Sequence, residues 1–288
     1  MEPETELSLV AASVCRLEKL ELEERTGGGA FKQVFRVRDT AGSHWALKIV
    51  KFNDPHTDAR TMREVEALSK CDHPNIARLH KADTHTCEGE RFRFIMEEYL
   101  SGGTLGQRLE TRGLMSSEQA RRLGAPLIDA IAHVAELGLV HRDIKPANIM
   151  FRDAETPVLV DFGIARDLSA TSLTLDWQPR GPGTPYYAAP EQLCNEKRLI
   201  SWRTDQFALG VVLSLCRFGW HPYQHPNEPH LSAQTVARVA QRGHRRPEAP
   251  LEFQRAGLPC LDRMTRAWPV ERFRRPLDLI EQWRQQGG

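Results

Sequence analysis

A short run of polar and charged residues between apolar flanks is the part of this chain whose side chains could do chemistry. Within residues 141–148 it brings together an imidazole, two cations, a carboxylate and an amide, on His141, Arg142, Asp143, Lys145 and Asn148. Pro146 disfavours a continuous helix here, so the run is predicted to be a loop. A loop of this composition is either a solvated surface turn or a polar site that the surrounding core positions.

A second polar motif argues against the surface turn. The apolar run Val158-Leu159-Val160 predicts a short buried strand, and it leads directly into Asp161-Phe162-Gly163. The first motif resembles the catalytic loop H-R-D-x-x-x-x-N of eukaryotic-type protein kinases, and the second resembles their metal-binding D-F-G. The tetrapeptide Lys145-Pro146-Ala147-Asn148 resembles the catalytic-loop sequence of the bacterial branch of that family.

The resemblance implies phosphoryl transfer, which depends on positioning and on neutralising charge spread over phosphate oxygens. Asp143 would accept or orient the proton of the substrate hydroxyl, and Lys145 would place a cation near the γ-phosphate. Asn148 and Asp161 would hold Mg²⁺, a hard ion suited to oxygen ligands. The lysine two residues after Asp143, together with Thr184, resembles Ser/Thr kinases rather than tyrosine kinases.

Three consecutive glycines lie between two predicted strands near the N-terminus. Glycine lets a backbone approach phosphates closely because no Cβ intrudes, and Gly27-Gly28-Gly29 resembles the kinase Gly-rich loop. Lys32 stands at the third glycine of that pattern, where it either contacts the nucleotide or faces solvent. Further along, Trp45-Ala46-Leu47-Lys48 resembles V-A-I-K, whose lysine binds the α- and β-phosphates and whose alanine touches the adenine.

The resemblance assigns nucleotide binding to a set of residues from both halves of the chain: Gly27, Gly28, Gly29, Val34, Ala46, Lys48, Glu98, Leu100 and Met150.

Residues 61–70 predict a helix that ends before Pro74. The family carries here a glutamate that pairs with the strand lysine. Counting back from His73-Pro74-Asn75 makes this residue Glu64, with Glu66 predicted to be a solvated side chain.

Residues 92–99 predict a strand, and residues 101–105 resemble the exit from the hinge between the two lobes of a kinase. Counting back from Gly102-Gly103 puts Glu97 at the gatekeeper position behind the adenine. Strand alternation instead places Phe92, Phe94 and Met96 on one face. Glu97 and Met96 are therefore both candidates, and a bulge would reconcile the two counts.

The second half of the chain predicts helices around the two motifs. Ser116-Ser117-Glu118-Gln119 has the form of a capping box, and Gly138 suits the end of the helix that follows. Residues 183–191 resemble the G-T-x-x-Y-x-A-P-E segment, in which Glu191 would pair with Arg272. Residues 204–210 resemble the helix whose aspartate, here Asp205, braces the catalytic loop.

Two features concern metal binding and regulation. His221, His225 and His230 could ligate a metal, although kinases usually carry a Pro-rich loop here. Arg142 makes this an H-R-D sequence, which in the family often needs a phosphate in the activation segment. That phosphate would be carried by Thr171, Ser172 or Thr174, unless Asp176 replaces it opposite Arg142.

Composition sets the fold class and the expected surroundings. The chain has 288 residues, 40% hydrophobic and 27% charged, with a formal net charge of +1, so no strong field favours nucleic acid or membranes. Six scattered cysteines without C-x-x-C fit a reducing cytoplasm, and no apolar run suggests a membrane span or a secretory signal. The expectation is an α+β bilobal kinase fold. Its parts are an N-terminal extension (1–19), a small β-rich N-lobe (20–98) and a hinge with a larger, mainly helical C-lobe (99–288).

The resemblance thus predicts an ATP- and Mg²⁺-dependent Ser/Thr protein kinase that acts on protein substrates. It would also phosphorylate itself, in a transient homodimer. Two alternatives stay open. One is a pseudokinase that serves as a nucleotide-binding scaffold, and the other is a small-molecule phosphotransferase of the same fold.

The first 19 residues predict an amphipathic helix with Leu7, Val10, Val14 and Leu17 on one face, either packed on the body or a loose arm.

Overall fold

The computed structural model describes residues 3–28, 32–51, 55–162, 184–228 and 231–286. They divide into two compact units, Met1–Asp72 with Ala77–Ser101, and His73–Ile76 with Gly102–Gly288. Within the second unit, the Gly102 amide donates a hydrogen bond to the Phe151 carbonyl oxygen (2.8 Å), and the lobe boundary at residue 98 stays a prediction. Within the described ranges, no helix is long and apolar enough to cross a membrane.

The first unit is built on a five-stranded antiparallel sheet in the order β1-β2-β3-β5-β4. Its elements are α1 (Pro3–Glu18), β1 (Glu21–Gly28), β2 (Lys32–Arg38), β3 (His44–Lys51), α2 (Pro55–Lys70), β4 (Leu79–Cys87) and β5 (Glu90–Glu98). The register of β3 against β5 runs without interruption from Trp45 opposite Glu98 to Lys51 opposite Phe92. Two central strands are therefore fixed residue by residue against each other.

Helix α1 packs on one face of this sheet. Leu7, Val10 and Val14 are buried as the spacing predicts, in one apolar cluster with Phe94 and Met96 of β5. Leu17 is 64% exposed, so its predicted place on this face is wrong. The buried stripe of α1 continues instead through Ala11 and Cys15, which follow the three- and four-residue steps of a helix.

Ion pairs join both ends of α1 to the sheet. Glu6 pairs with Lys51 of β3 (2.7 Å), and Glu18 pairs with Lys81 of β4 (2.7 Å). These pairs are partly exposed, and such pairs contribute little to stability, so the apolar stripe accounts for most of the docking. Of the two arrangements that the sequence allows, the packed helix is the observed one.

The second unit is mainly helical, with a small hairpin. It contains α3 (Leu105–Arg112), α4 (Ser117–Glu136), β6 (Ile149–Phe151), β7 (Pro157–Leu159), α5 (Pro190–Leu193), α6 (Trp202–Phe218), α7 (Ala233–Ala240), α8 (Ala249–Arg255), α9 (Cys260–Met264) and α10 (Pro276–Gln285). Helix α4 packs against α6 and α10. The sheet and the two helices of the first unit, with the helices of the second, confirm the α+β class.

Helix α4 begins and ends where the sequence predicts. The Ser116 hydroxyl accepts a hydrogen bond from the Gln119 amide (3.1 Å), and the Gln119 side chain accepts one from the Ser116 amide (2.8 Å). Gly138 follows the helix with φ of +71°, a backbone conformation that glycine adopts without strain. The chain therefore turns sharply after α4 and enters the polar loop at residues 141–148.

A buried ion pair joins the start of α5 to the segment before α10. Arg272 donates to both oxygens of Glu191 (2.7 and 3.1 Å), and both side chains are fully buried. The Thr204 hydroxyl donates to the same carboxylate (2.9 Å), and the Arg272 guanidinium also donates to the carbonyl oxygens of Arg203, Arg266 and Ala267. The Glu191–Arg272 pair predicted from the sequence is confirmed.

Replacing Leu7 by alanine should lower the free energy of unfolding by about 2–5 kcal/mol, because it opens a cavity between α1 and the sheet. Urea unfolding followed by circular dichroism measures the change. The matched control is Leu17→Ala, the same substitution on the exposed side of α1, with an expected change within about 0.5 kcal/mol. Equal effects of the two substitutions would contradict the packed position of α1.

Arg272→Ala should destabilise the protein by about 3–5 kcal/mol, because it leaves Glu191 buried without its cation. The control is Arg275→Ala, which removes an exposed Arg–Asp pair with Asp278 close by in sequence. The control should keep a thermal midpoint near that of the wild type. A similar decrease in thermal midpoint for both variants would contradict the expectation that the buried pair contributes more to stability than the exposed one.

Candidate active site

The polar loop is held by a carboxylate from α6. Both oxygens of Asp205 accept backbone hydrogen bonds, from the His141 amide (2.7 Å) and from the Arg142 amide (2.8 Å). Arg142 has φ of +67°, a left-handed conformation that is unfavourable for a residue with a Cβ. The predicted bracing role of Asp205 is confirmed, and its two hydrogen bonds stabilise this strained turn.

Burial governs the protonation of the groups that hold the loop. It raises the pKa of Asp205 to about 7, against the opposite effect of the two backbone N–H groups and the Arg142 guanidinium. Burial lowers the pKa of His141 to about 4, so its imidazole is neutral at pH 7. The neutral ring can donate from Nε2 to the Val160 carbonyl oxygen (3.2 Å) and accept at Nδ1 from the Asp143 amide (3.3 Å).

Three predicted catalytic-loop residues come together around one carboxylate. The Lys145 ammonium lies 2.8 Å from Oδ2 of Asp143, and the Asn148 Nδ2 atom donates to the same oxygen (2.8 Å). The same amide also donates to the Asp143 main-chain oxygen (2.9 Å). The turn Pro146–Asn148 folds Asn148 back towards Asp143. The arrangement offers a carboxylate with a fixed orientation and a cation beside it.

Asp161 is placed by its two neighbours in sequence. The Val160 amide donates to the main-chain oxygen of Asn148 (3.0 Å), and the ring of Phe162 lies 4.6 Å from that of His141. Asp161 itself has φ of +56°. The D-F-G backbone is thereby tied to the same loop that carries Asp143 and Asn148. Gly163 lies outside the described residues.

The donor set of this loop fits a hard divalent cation. Asn148 uses its Nδ2 atom to hold Asp143, so the amide oxygen Oδ1 is the atom that it can offer to a metal. Asp161 adds a carboxylate, and oxygen ligands of this kind are those that Mg²⁺ prefers. In the described part of the chain, no group of three His, Cys, Asp or Glu side chains is arranged to hold a metal.

The histidines singled out in the sequence have other roles where they are described. The Nδ1 atom of buried His221 accepts from the Tyr223 amide (3.0 Å), and His225 accepts from the Asn227 amide (3.3 Å). Burial lowers the pKa of His221 to about 3. His230 lies outside the described residues. His221 and His225 therefore each accept a hydrogen bond from the backbone of their own Pro-rich loop.

In the first unit, Lys48 forms a buried ion pair with Glu97. The Lys48 Nζ atom lies 2.6 Å from Oε2 of Glu97, and the side chains are 6% and 3% exposed. This contact was not foreseen from the sequence. Strand alternation puts Glu97 on the same face of β5 as Ile95, but only the register of the sheet shows that Ile95 lies opposite Lys48.

The same alternation resolves the conflict between Met96 and Glu97. Met96 is buried in the cluster with Phe92 and Phe94 under α1, as the strand pattern predicts. Glu97 faces Lys48 on the opposite side of the sheet. The pairing of β3 with β5 is regular, whereas β4 shifts register between Leu79 and Lys81, opposite Glu97 and Met96, which is the irregularity that the two counts suggested. Glu97 is therefore the residue beside the lysine.

The two glutamates considered for α2 differ in exposure. Glu66 is exposed and pairs with Lys70 one helical turn away (2.7 Å), which confirms that it is a surface residue. Glu64 is half-buried on the same helix. Its pairing with Lys48 stays a prediction.

The Gly-rich turn shows a steric need for glycine at one position. Gly28 ends β1 with φ of +104°, and a Cβ there would lie 2.2 Å from the Lys32 carbonyl oxygen. Gly27 lies opposite Val34 in the register of β1 and β2. Gly29 lies outside the described residues. Nucleotide contacts of this turn, and a role of Lys32 in them, stay predictions.

The remaining nucleotide-binding candidates are placed as follows. Ala46 lies opposite Glu97, Glu98 is half-buried at the end of β5, and Leu100 is buried within the first unit. Met150 is half-buried in β6 of the second unit. Contact of these residues with adenine is a prediction of the family resemblance.

A second contact of the loop was also missed from the sequence. The Gln192 side chain of α5 donates to the main-chain oxygen of Arg142 (2.9 Å). A small pocket beside Asp143 is lined by Arg142, Ile144, Tyr187, Ala188, Gln192 and Ala208. The segment with Thr171, Ser172, Thr174 and Asp176 lies outside the described residues.

Comparisons with known proteins agree with this geometry. The protein kinase domain family matches residues 20–274. The probable serine/threonine-protein kinase PknB of Bifidobacterium longum is 29% identical over 231 residues, which cover 77% of this chain and 33% of that protein. Human calcium/calmodulin-dependent protein kinase type 1B is 31% identical over 222 residues, with 75% and 61% covered. The serine/threonine-protein kinase PrkC of Bacillus subtilis is 32% identical over 218 residues, with 73% and 32% covered.

The chain thus spans from about a third to about three-fifths of the length of these curated relatives. The family match extends over both units and includes the Asp143 loop, the Lys48 strand and the Glu191–Arg272 pair. By this match and by the geometry of its polar loop, the chain belongs to the eukaryotic-type (Hanks-type) serine/threonine protein kinase family.

Proposed function

We propose that this chain transfers the γ-phosphoryl group of Mg·ATP to serine and threonine hydroxyls of proteins, including its own. The observation that carries the proposal is the Asp143 carboxylate, held by Lys145 and Asn148 within 2.8 Å. A carboxylate held in one orientation can accept the proton of a substrate hydroxyl, and the cation beside it can offset negative charge that develops on the phosphoryl group.

In this reaction the substrate hydroxyl oxygen forms a bond to the γ-phosphorus, and the bond from that phosphorus to the β,γ-bridging oxygen breaks. Asp143 takes the hydroxyl proton, and ADP leaves with the bridging oxygen. Lys145 supplies positive charge beside Asp143, and Lys48 is assigned to the α- and β-phosphates. Mg²⁺ held by Asn148 and Asp161 would neutralise charge on the phosphate oxygens.

The Glu191 segment supports a protein rather than a small molecule as the substrate. In the family this segment is a platform for the protein substrate, and here the fully buried Arg272 pair fixes it beside α6. The cytoplasm, where ATP and Mg²⁺ are plentiful, is the proposed location, and a transient homodimer would permit self-phosphorylation.

Asp143→Asn should lower the rate of phosphoryl transfer by about 10²–10⁴-fold, because the amide cannot take the proton. Transfer of labelled γ-phosphate to the chain itself and to generic basic proteins, followed by identification of the labelled residues, is the measurement. Asp83→Asn, the same change at an exposed residue of β4, should leave transfer unchanged.

Three other outcomes would contradict the proposal in different ways. Wild type that binds ATP without any transfer would favour the nucleotide-binding scaffold. Label on a sugar or drug rather than on protein would favour a small-molecule phosphotransferase. Equal transfer by wild type and Asp143→Asn would remove Asp143 from the chemistry.

Asn148→Ala should raise the Mg²⁺ concentration that gives half-maximal transfer by about tenfold or more, since a metal ligand is lost. A titration of Mg²⁺ at saturating ATP measures this value separately from the maximal rate. Asn227→Ala, at an exposed loop residue, is the control and should follow the wild-type curve. An unchanged Mg²⁺ dependence in Asn148→Ala would place the metal elsewhere.

A further inference from the structure

Glu97 places a carboxylate at a buried position of the sheet, where an apolar side chain is more usual. Its side chain is 3% exposed, and its neighbour Met96 packs in the apolar cluster under α1. Taking a carboxylate out of water is costly unless a cation and hydrogen bonds replace the lost hydration. The Lys48 ammonium at 2.6 Å supplies both, so the two groups depend on each other.

The geometry of an ammonium lets this pair persist while Lys48 binds other groups. A lysine has three N–H donors, and the contact with Glu97 needs one of them. An ammonium can therefore contact further acceptors, such as phosphate oxygens or a second carboxylate, at the same time as Glu97. Glu97 can therefore orient the ammonium without occupying it fully.

Glu97 is carried by a strand that has a neighbouring strand on each side. Its strand, β5, is paired with β3 on one side and with β4 on the other, with Ala46 and Leu79 opposite Glu97 itself. Glu64, the family's partner for this lysine, is carried by the helix α2 instead. In the family, the position of that helix controls whether its glutamate reaches the lysine. A carboxylate within the sheet stays beside Lys48 whatever position the helix takes.

We propose that Glu97 is a positioning residue that orients Lys48 from within the sheet, so that binding of ATP phosphates does not depend on Glu64 alone. The inference rests on the proposed function, because it assumes that Lys48 binds ATP.

The test compares Glu97→Gln, Glu97→Met and Glu97→Asp with the wild-type chain, each checked by thermal unfolding. We expect Glu97→Gln and Glu97→Met to lower kcat/KM for ATP by about tenfold and to weaken ATP binding in a titration. A tenfold loss corresponds to about 1.4 kcal/mol. The KM for a protein substrate should stay within about twofold of the wild-type value. Glu97→Asp keeps the charge and should recover part of the loss. Two neutral variants keep the test valid if one of them fails to fold.

The chain offers a matched control in a second Lys–Glu pair. Lys51 and Glu90 also join β3 to β5, at 2.7 Å, with Glu90 exposed. Glu90→Gln should change kcat/KM for ATP by less than about twofold. The same Glu97→Gln change made in Lys48→Met should leave ATP binding unaltered, because Glu97 would act through Lys48. A general structural defect would instead weaken binding equally in both backgrounds.

Two results would overturn the inference while leaving the proposed function intact. The first is an active wild type in which Glu97→Gln has an unchanged kcat/KM for ATP. The second is an increase in that value, which would mean that Glu97 restrains Lys48 instead of positioning it. Wild type that neither transfers phosphate nor binds ATP would refute the proposed function and this inference together. That failure is recognisable because it appears before any substitution is made.

Discussion

The two hydrogen bonds from Asp205 to the backbone of His141 and Arg142 are the constraint on which the polar loop depends. They hold Arg142 in a left-handed conformation that its Cβ disfavours, and this turn directs Asp143. The carboxylate can do this because α6 is buried along much of its length and fixes Asp205 in its first turn. Burial also raises the pKa of Asp205 to about 7, and the two backbone donors act in the opposite direction, favouring the carboxylate.

From this anchor the remaining loop contacts follow in order. The Asp143 amide bonds to the neutral ring of His141, and the Asp143 side chain gathers Lys145 and Asn148. The main chain of Asn148 in turn bonds to Val160, beside Asp161. A chain of hydrogen bonds thus links α6 to the side chains of Asp143, Lys145 and Asn148 and to the backbone of Val160. Such networks are specific because each buried polar group must be satisfied.

The two faces of the sheet in the first unit carry different side chains, one face apolar and the other charged. One face is apolar and is covered by α1, whose Leu7, Val10 and Val14 pack on it. The other face presents Lys48 and Glu97, joined at 2.6 Å. Since strand residues alternate in direction, neighbours such as Met96 and Glu97 meet opposite environments. The packing on one face therefore fixes the register that brings the charges together on the other.

The sequence by itself determined the family and the α+β class, and through the family resemblance it predicted the catalytic-loop residues and the Glu191–Arg272 pair. The short motifs identify the family because their residue types and spacing suit the chemistry of a shared site, and the family resemblance supplied the pair of Glu191 with Arg272, which lie 81 residues apart. Capping of α4 by Ser116 was also predictable, since its partner Gln119 is three residues away. The tertiary structure alone decided that α1 is packed, that Leu17 is exposed and that Glu97 meets Lys48. Those contacts join residues distant in sequence, and they depend on which face of each element is covered. Local pattern cannot give that information, because a helix stripe or an alternating strand fits more than one partner until the whole unit is assembled.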